Sequence, residues 1–479
     1  MTRASGPSAL VQEVNREDLE RFLSTLRGPA LRPDTKAYEE ARVVFNAMHD
    51  QRPGLIVKCS GTADVVAALT FAAEKRPLVA TRAGGHSVAS NSSCQGGLVI
   101  DLSEMTGVHV DPVGRTVRVQ AGATWGDVDR ETQLHGLAVP GGAVSTTGVA
   151  GLTLGGGIGW LRRKHGLSCD SLLSVEIVTA DGHVRTASAQ QHQDLFWALR
   201  GGGGSFGVVT SLEFKLFSVG PMVHVAIPFY PIEDAPRVYG AWRDWVATIP
   251  DDVTTHALTW TIPEDPPVMP PEIRGRAVIF TPAVYAGPPE NGDKVLAPSR
   301  KFGTALFEIS GPMPYIALQQ AFDPFFGELG KHLCYWKSIF LNELSDPVID
   351  ILVRRAAERP DPWTLINVAA LGGAIARVGA EETAYLSRSA AFMVSIDGNW
   401  HDPAKSEASI AWVRSFWREL EPLSTGAIYL NFLTDSGEGE VATQAAHSVY
   451  GASWDRLAEV KAKYDPTNLF QVNMNIAPH

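Results

Sequence analysis

The chain has 479 residues, 45% hydrophobic and 19% charged, enough for two or more cored domains and too apolar for a disordered class. A formal net charge of -11 disfavours nucleic acid or an anionic membrane as the main partner, because Arg162-Arg163-Lys164 is the only compact basic cluster. Cys59, Cys94, Cys169 and Cys334 stand far apart without a CxxC pair, and no apolar run reaches the length of a membrane span, so the expectation is a soluble cytoplasmic protein with reduced thiols and no metal.

Residues 11 to 50 carry spaced apolar positions (Leu19, Phe22, Leu23, Leu26) that suit an amphipathic helix. From Gly54 to Leu102 the order is strand (Leu55-Ile56-Val57), helix (Thr62 to Glu74), strand (Leu78-Val79-Ala80), the glycine turn Arg82-Ala83-Gly84-Gly85-His86-Ser87, and strand (Leu98 to Leu102). A hairpin over Gly107 to Val119 follows, then a helix over Thr124 to His135 capped by Thr124. Gly141 to Gly166 holds nine glycines, too many for a regular helix or strand and better explained as a cradle against a ligand. A second hairpin (Leu172 to Thr179, His183 to Thr186), a helix (Asp194 to Leu199) and a strand (Val208 to Leu216) close a first unit near Phe217. Beyond Pro221, Pro-rich connectors separate strands at Val223 to Phe229, Thr255 to Thr261, Arg276 to Phe280, Thr364 to Ala370, Ala391 to Asp397 and Ala427 to Phe432. Helices fall at Tyr315 to Phe325, Pro347 to Ala357, Ala404 to Glu419 and Ser453 to Lys463. The reading is an α+β chain whose second part is one antiparallel sheet covered by helices.

Gly203-Gly204-Ser205-Phe206-Gly207 matches the G-x-S-x-G nucleophile elbow, and the overlapping run from Gly202 matches G-x-G-x-x-G. Both need a strand before and a helix after, whereas here a helix precedes and a strand follows, which disfavours a serine hydrolase and a Rossmann fold. What remains is three glycine turns, at 84 to 87, 141 to 159 and 201 to 207, able to wrap one long anionic planar ligand such as FAD with main-chain N–H donors.

Four motifs occur in an order that resembles the berberine-bridge-enzyme-like branch of the FAD-linked oxidases, in the vanillyl-alcohol-oxidase superfamily with its PCMH-type FAD-binding domain. They are Arg82 to Ser87, Thr146-Thr147-Gly148-Val149-Ala150-Gly151 with Gly155 to Gly159, Asp194 to Gly204, and Tyr464-Asp465-Pro466-Thr467-Asn468-Leu469-Phe470. The resemblance implies an N-terminal helical segment (1–39), an FAD-binding domain of two α/β subdomains (40–217), a substrate domain (218–440) and a C-terminal segment returning to the FAD domain (441–479). It implies that His86 bonds covalently to the flavin 8α carbon. It also implies cofactor contacts at Arg82, Ala83, Gly84, Gly85, Ser87, Val144, Thr146, Thr147, Gly148, Gly151, Gly157, Gly159, Val208 and Asn473. Val144 stands where many members carry a second, cysteinyl link, so a single histidyl bond is expected, as in the branch typified by 6-hydroxy-D-nicotine oxidase. Thr147 stands at the family's oxygen gate, and its valine-like size favours an oxidase.

On the substrate side, Tyr429 and Asn431 match a Y-x-N pattern of the family's active site, while Gly372-Gly373-Ala374-Ile375-Ala376 lacks the charged base other members place there. Tyr429, Asn431 and Lys337 are therefore the catalytic candidates, with Tyr335, Trp336 and Trp400 as walls of an apolar pocket. The expected activity is two-electron oxidation of a small organic molecule (alcohol, amine or secondary-metabolite intermediate) by hydride transfer to FAD, with O2 reduced to H2O2 by a monomer or homodimer. The alternatives are a flavin-dependent dehydrogenase, an oxidative cyclase, or a flavin carrier without turnover.

Overall fold

A computed structural model describes residues 14–434, Ala446 and residues 449–478; the expected boundary at 440/441 and the start of the N-terminal segment lie outside the described residues. Strands β1 (Ala30–Leu31), β2 (Leu55–Lys58), β3 (Val79–Arg82) and β4 (Leu98–Asp101) form a sheet in the order β1-β2-β4-β3, with β4 parallel to both β2 and β3. Helices α1 (Arg16–Leu23) and α2 (Thr62–Lys75) bury Leu19, Phe22, Val65, Leu69 and Phe71 in the core beneath this sheet. The next strands, β5 (Val108–Asp111), β6 (Thr116–Gln120), β7 (Leu172–Val178), β8 (Val184–Ser188) and β9 (Val208–Lys215), pair antiparallel in the order β5-β6-β9-β7-β8.

Between β6 and β7 the chain makes α3 (Trp125–Gln133), opened by a capping box in which Thr124 and Asp127 satisfy each other's backbone N–H groups. The glycine-rich stretch that follows is not uniformly irregular. Val149 to Leu154 contains one glycine among five helix-compatible residues and forms α4 (Val149–Leu154), with Val149, Ala150, Thr153 and Leu154 buried. A helical turn over Arg162–His165 comes after it, and α5 (Gln193–Ala198) precedes β9.

The second unit is an eight-stranded antiparallel sheet. Its strands are β10 (Met222–Pro231), β11 (Val253–Thr261), β12 (Ala277–Phe280), β13 (Ala283–Tyr285), β14 (Phe307–Pro314), β15 (Leu333–Leu341), β16 (Leu365–Ala370) and β17 (Phe392–Trp400). The order is β12-β10-β13-β11-β16-β17-β15, with β14 paired to β10. Helices α6 (Ala235–Val246), α7 (Asp346–Ala357) and α8 (Ser406–Leu420) cover one face, where Ala257, Ile366, Val368, Val394, Ile396 and Trp400 meet Trp242, Leu352, Val413 and Phe416. Because strand side chains alternate, the residues between them (His256, Asn367, Met393, Asp397) point to the opposite face, toward the first unit.

One expected strand is absent. Ala427 to Phe432 ends in a 3₁₀ turn over Leu430–Phe432, because Ser338 Oγ takes the place of a ladder partner, accepting from Tyr429 N at 3.0 Å and donating to Tyr429 O at 3.4 Å.

The last helix, α9 (Trp454–Tyr464), returns to the first unit, where Leu457, Ala458 and Val460 share the core of β9. Lys461 on this helix is fully buried, ion-paired with buried Asp465 and donating to Ser205 O at 2.8 Å and Phe470 O at 3.1 Å. Asp465 in turn accepts from Leu469 N at 2.8 Å and Phe470 N at 2.9 Å. Removing one member of such a pair strands the other charge, so Lys461→Met is expected to lower the unfolding free energy by about 3–5 kcal/mol, as read by urea denaturation.

Candidate active site

The three glycine turns face one cavity of about 360 Å³ between the two units. Gly84, Gly85 and His86 line it from the first turn, Gly148, Gly151, Gly155 and Gly159 from the second, and Gly203, Gly204 and Gly207 from the third. The first two turns touch through their backbones: a Cβ on Gly84 would lie 2.4 Å from Gly148 N, and one on Gly148 would lie 2.4 Å from Gly84 N. Among the described residues, the N–H groups of Gly84, Gly85, His86 and Ser87 have no hydrogen-bond acceptor. Ser92, which also lines this end, has a buried hydroxyl without a partner. Unpaired donors of this kind call for an anionic ligand.

His86 lies half-buried between two neighbours. Its imidazole stacks on Phe45 with centroids 4.9 Å apart and planes 22° apart, and its Nε2 is 2.9 Å from Thr146 Oγ1. Burial, assisted by the Arg82 charge, pushes its pKa down to about 4, so the ring is neutral. Arg82 turns away from the cavity to donate to Ala41 O.

Tyr429 and Asn431 line the cavity as braces of the cradle. The Tyr429 phenol oxygen accepts from Gly157 N and Ile158 N at 3.2 Å each and from Asn431 Nδ2 at 2.9 Å, while Asn431 Nδ2 also donates to Leu152 O at 3.0 Å. Burial pushes the Tyr429 hydroxyl up to about 12 against these donors, which makes it a poor proton acceptor. Gly157 is packed on Ser168, where a Cβ would lie 2.2 Å from Oγ, and does not line the cavity. Thr146 stands behind His86 rather than on the cavity wall, and Val208 is paired with Val178 inside the sheet while Val209 takes the wall position.

Strand alternation sorts the aromatic candidates. Trp336 lines the cavity, whereas Tyr335 and Lys337, its neighbours on β15, face α8. The Tyr335 hydroxyl accepts from Arg414 Nε at 2.9 Å, and Lys337 Nζ lies 5.0 Å from the Trp417 ring centroid. Trp400 is buried in the helix-side core and donates to Ser406 Oγ at 3.0 Å. These three are corrections to the expected pocket, and their common cause is the period of two along a strand.

The same period supplies residues the sequence reading missed. His256, Asn367 and Asp397 come from β11, β16 and β17 and line the cavity with Trp336, Phe326 and Leu365. Arg162 is fully buried and donates to Ala370 O and Thr255 O at 2.8 Å, to Gly159 O at 3.1 Å and to His256 Nε2 at 2.8 Å. A guanidinium only donates, so His256 Nε2 accepts and Nδ1–H donates to Asn367 Oδ1 at 2.9 Å. Burial and the Arg162 charge hold His256 well below the usual histidine range. Asp397 accepts from Ser395 Oγ, and its burial pushes the carboxyl up to about 7, a value fit for a proton acceptor. A carboxylate inside the apolar run of β17 was the available signal.

The hydrolase reading is overturned. Ser205 is fully buried and donates its proton to Met474 O at 3.2 Å. Cys59, Cys94, Cys169 and Cys334 are all buried, and none of them lines the cavity. No helix among the described residues is long and apolar enough to cross a membrane.

Comparison with known proteins agrees with this geometry. Residues 53–188 match the family model described as FAD binding domain, and residues 428–477 match the one described as Berberine and berberine like. An uncharacterised FAD-linked oxidoreductase of Bacillus subtilis is 31% identical over 458 residues, covering 95% of this chain and 97% of that one. (R)-6-hydroxynicotine oxidase of Paenarthrobacter nicotinovorans is 35% identical over 195 residues, 41% of this chain and 43% of its own. Two solved structures share the fold: BBE-like 1 of Physcomitrella patens (TM-score 0.85, 22% identity, 96% and 100% coverage) and 6-hydroxy-D-nicotine oxidase of Arthrobacter nicotinovorans (TM-score 0.82, 24% identity, 95% and 98% coverage). With unpaired amides at one end of the cavity, glycine backbones along its length and a chain-long relative of this kind, the protein belongs to the berberine-bridge-enzyme-like family of FAD-linked oxidoreductases.

Proposed function

We propose that the protein is an FAD-dependent oxidase of a small organic alcohol or amine, with the cofactor held by one covalent bond to His86 and with O2 as the final acceptor. The observation that carries this reading is the cavity itself, where the glycine cradle and His86 open without interruption onto a chamber walled by Trp336, Phe326, Leu365 and Asp397. FAD, when bound, supplies the two-electron acceptor. The cradle's unpaired amides suit its diphosphate, and Val144, which lines the cavity in place of a cysteine, supports a single attachment. Thr147 also lines the cavity, with a side chain the size of valine, which supports access for O2.

Within this reading Asp397 takes the proton from the substrate O–H or N–H as hydride leaves the adjacent carbon. Ser395 holds one carboxylate oxygen through its hydroxyl, and Trp336 and Phe326 exclude water from an apolar substrate body. His256, whose two ring nitrogens are engaged by Arg162 and Asn367, presents a fixed, uncharged wall to the substrate. Tyr429 and Asn431 shape the cradle rather than move protons.

Wild-type protein precipitated in acid is expected to retain yellow colour and His86→Ala to lose it, and acid-stable colour in that variant removes His86 from the attachment. Anaerobic bleaching by a substrate, with peroxide on readmission of air, is expected of an oxidase; bleaching that O2 does not reverse identifies a dehydrogenase. Asp397 is productive only when ionised, so kcat/KM is expected to rise with pH through an apparent pKa near 7. Asp397→Asn is expected to lower kcat/KM by about 10²- to 10⁴-fold and flatten that limb, whereas Tyr429→Phe keeps it. A wild-type-like profile in Asp397→Asn assigns the proton to another group.

A further inference from the structure

We infer that Thr146 is a positioning residue for cofactor attachment: it holds the His86 imidazole as the Nε2–H tautomer and leaves Nδ1 as the nitrogen that bonds to the cofactor. The inference rests on the covalent role proposed for His86. Thr146 Oγ1 lies 3.0 Å from Gly327 O and 2.9 Å from His86 Nε2. A carbonyl oxygen only accepts, so the single hydroxyl proton of Thr146 goes to Gly327 and the same oxygen accepts from His86. The ring proton is thereby placed on Nε2, and the Nδ1 lone pair has no hydrogen-bond partner among the described residues. Phe45 fixes the plane of the ring by stacking, and is itself held by Phe45 N donating to Gly85 O at 2.9 Å and by the edge of Trp336 at 5.7 Å. Gly327 follows the turn whose Asp323 accepts from Ser145 N at 2.8 Å, so the second unit pins both Ser145 and Thr146.

This arrangement serves the chemistry of attachment. The Nδ1 lone pair forms a bond to the 8-methyl carbon of the oxidised flavin, that carbon loses one hydrogen as a proton, and the C–H electron pair passes into the ring system, which is thereby reduced by two electrons. The alkylated imidazole is momentarily cationic, and its Nε2 proton is then released. O2 takes up the two electrons and two protons as H2O2, restoring the oxidised cofactor. The hydrogen bond to Thr146 strengthens as the ring gains charge, so it favours the transition state over the neutral starting ring.

The test uses the full chain purified from flavin-limited cells and mixed with FAD, with acid-stable flavin followed over time. Thr146→Val, which keeps the shape and deletes the acceptor, is expected to attach flavin about tenfold more slowly than wild type, and Thr146→Ser to restore the rate. Equal rates in Thr146→Val and wild type overturn the inference. A second measurement needs no Thr146 variant: 15N-histidine spectra of the flavin-free wild-type chain, with His86→Ala for assignment, are expected to show His86 protonated at Nε2, and a proton at Nδ1 overturns the inference equally. Acid-stable flavin in His86→Ala would instead reject the covalent role on which it rests, which keeps the two failures distinct.

Discussion

Two stretches of backbone, at Gly84 and Gly148, approach so closely that neither tolerates a Cβ, and the rest of the site depends on that contact. It brings the His86 turn against the Thr146-Thr147-Gly148 turn, and so places Thr146 behind the imidazole and Thr147 on the cavity wall. The contact is secured from outside: Trp125 N donates to Thr147 O and Val149 N to Ala123 O, both at 3.0 Å, so the capped start of α3 holds the second turn in register with the first. Turns that would be mobile in isolation become a preorganised wall, which a ligand needs if its ordering is not to consume its binding energy.

Much of this was legible in the sequence, for physical reasons that differ by feature. The hairpin at Asp111 to Gly114, the cap at Thr124 and the glycine turns are local, because each depends on the conformational freedom or hydrogen bonding of a few neighbouring residues. The convergence of three glycine turns on one cavity followed from what they shared, an excess of backbone donors without charge. The face of a strand was harder to read. Tyr335, Trp336 and Lys337 are adjacent letters, and only the register of β15 against β17 decides which of them sees the cavity. Asp397 and His256 escaped notice for the same reason, since their partners Ser395, Asn367 and Arg162 come from two residues away on the strand, from the neighbouring strand and from the other unit.

Arg162 shows how the two units are coupled. Its guanidinium is fully buried, has no carboxylate partner among the described residues, and is held by carbonyls of Gly159 from the cradle and of Thr255 and Ala370 from the sheet. Carbonyl dipoles solvate the charge incompletely, and burial pushes its pKa down to about 9. The guanidinium therefore joins cradle to sheet and projects a positive field toward His256, the nearest cavity-lining group.

Burial, reinforced at His256 by that field, sets the protonation of the cavity. Among the described residues its lining contains five groups that could titrate: His86, His256, Asp397, Tyr429 and Tyr450. His86 is pushed down to about 4 and His256 well below its usual range, so both rings are uncharged near neutral pH. Tyr429 is pushed up to about 12 and Tyr450 is also raised, both by burial, so neither phenol ionises there. Asp397 alone among them changes charge close to pH 7. Its carboxyl is raised by burial, so the ionised form costs the fold stability as pH climbs from the unfolded carboxylate pKa through about 7, the same interval in which it becomes able to accept a proton. The site therefore trades stability for reactivity at one residue, while its two imidazoles are fixed in tautomer by neighbours that offer them a single hydrogen-bonding role.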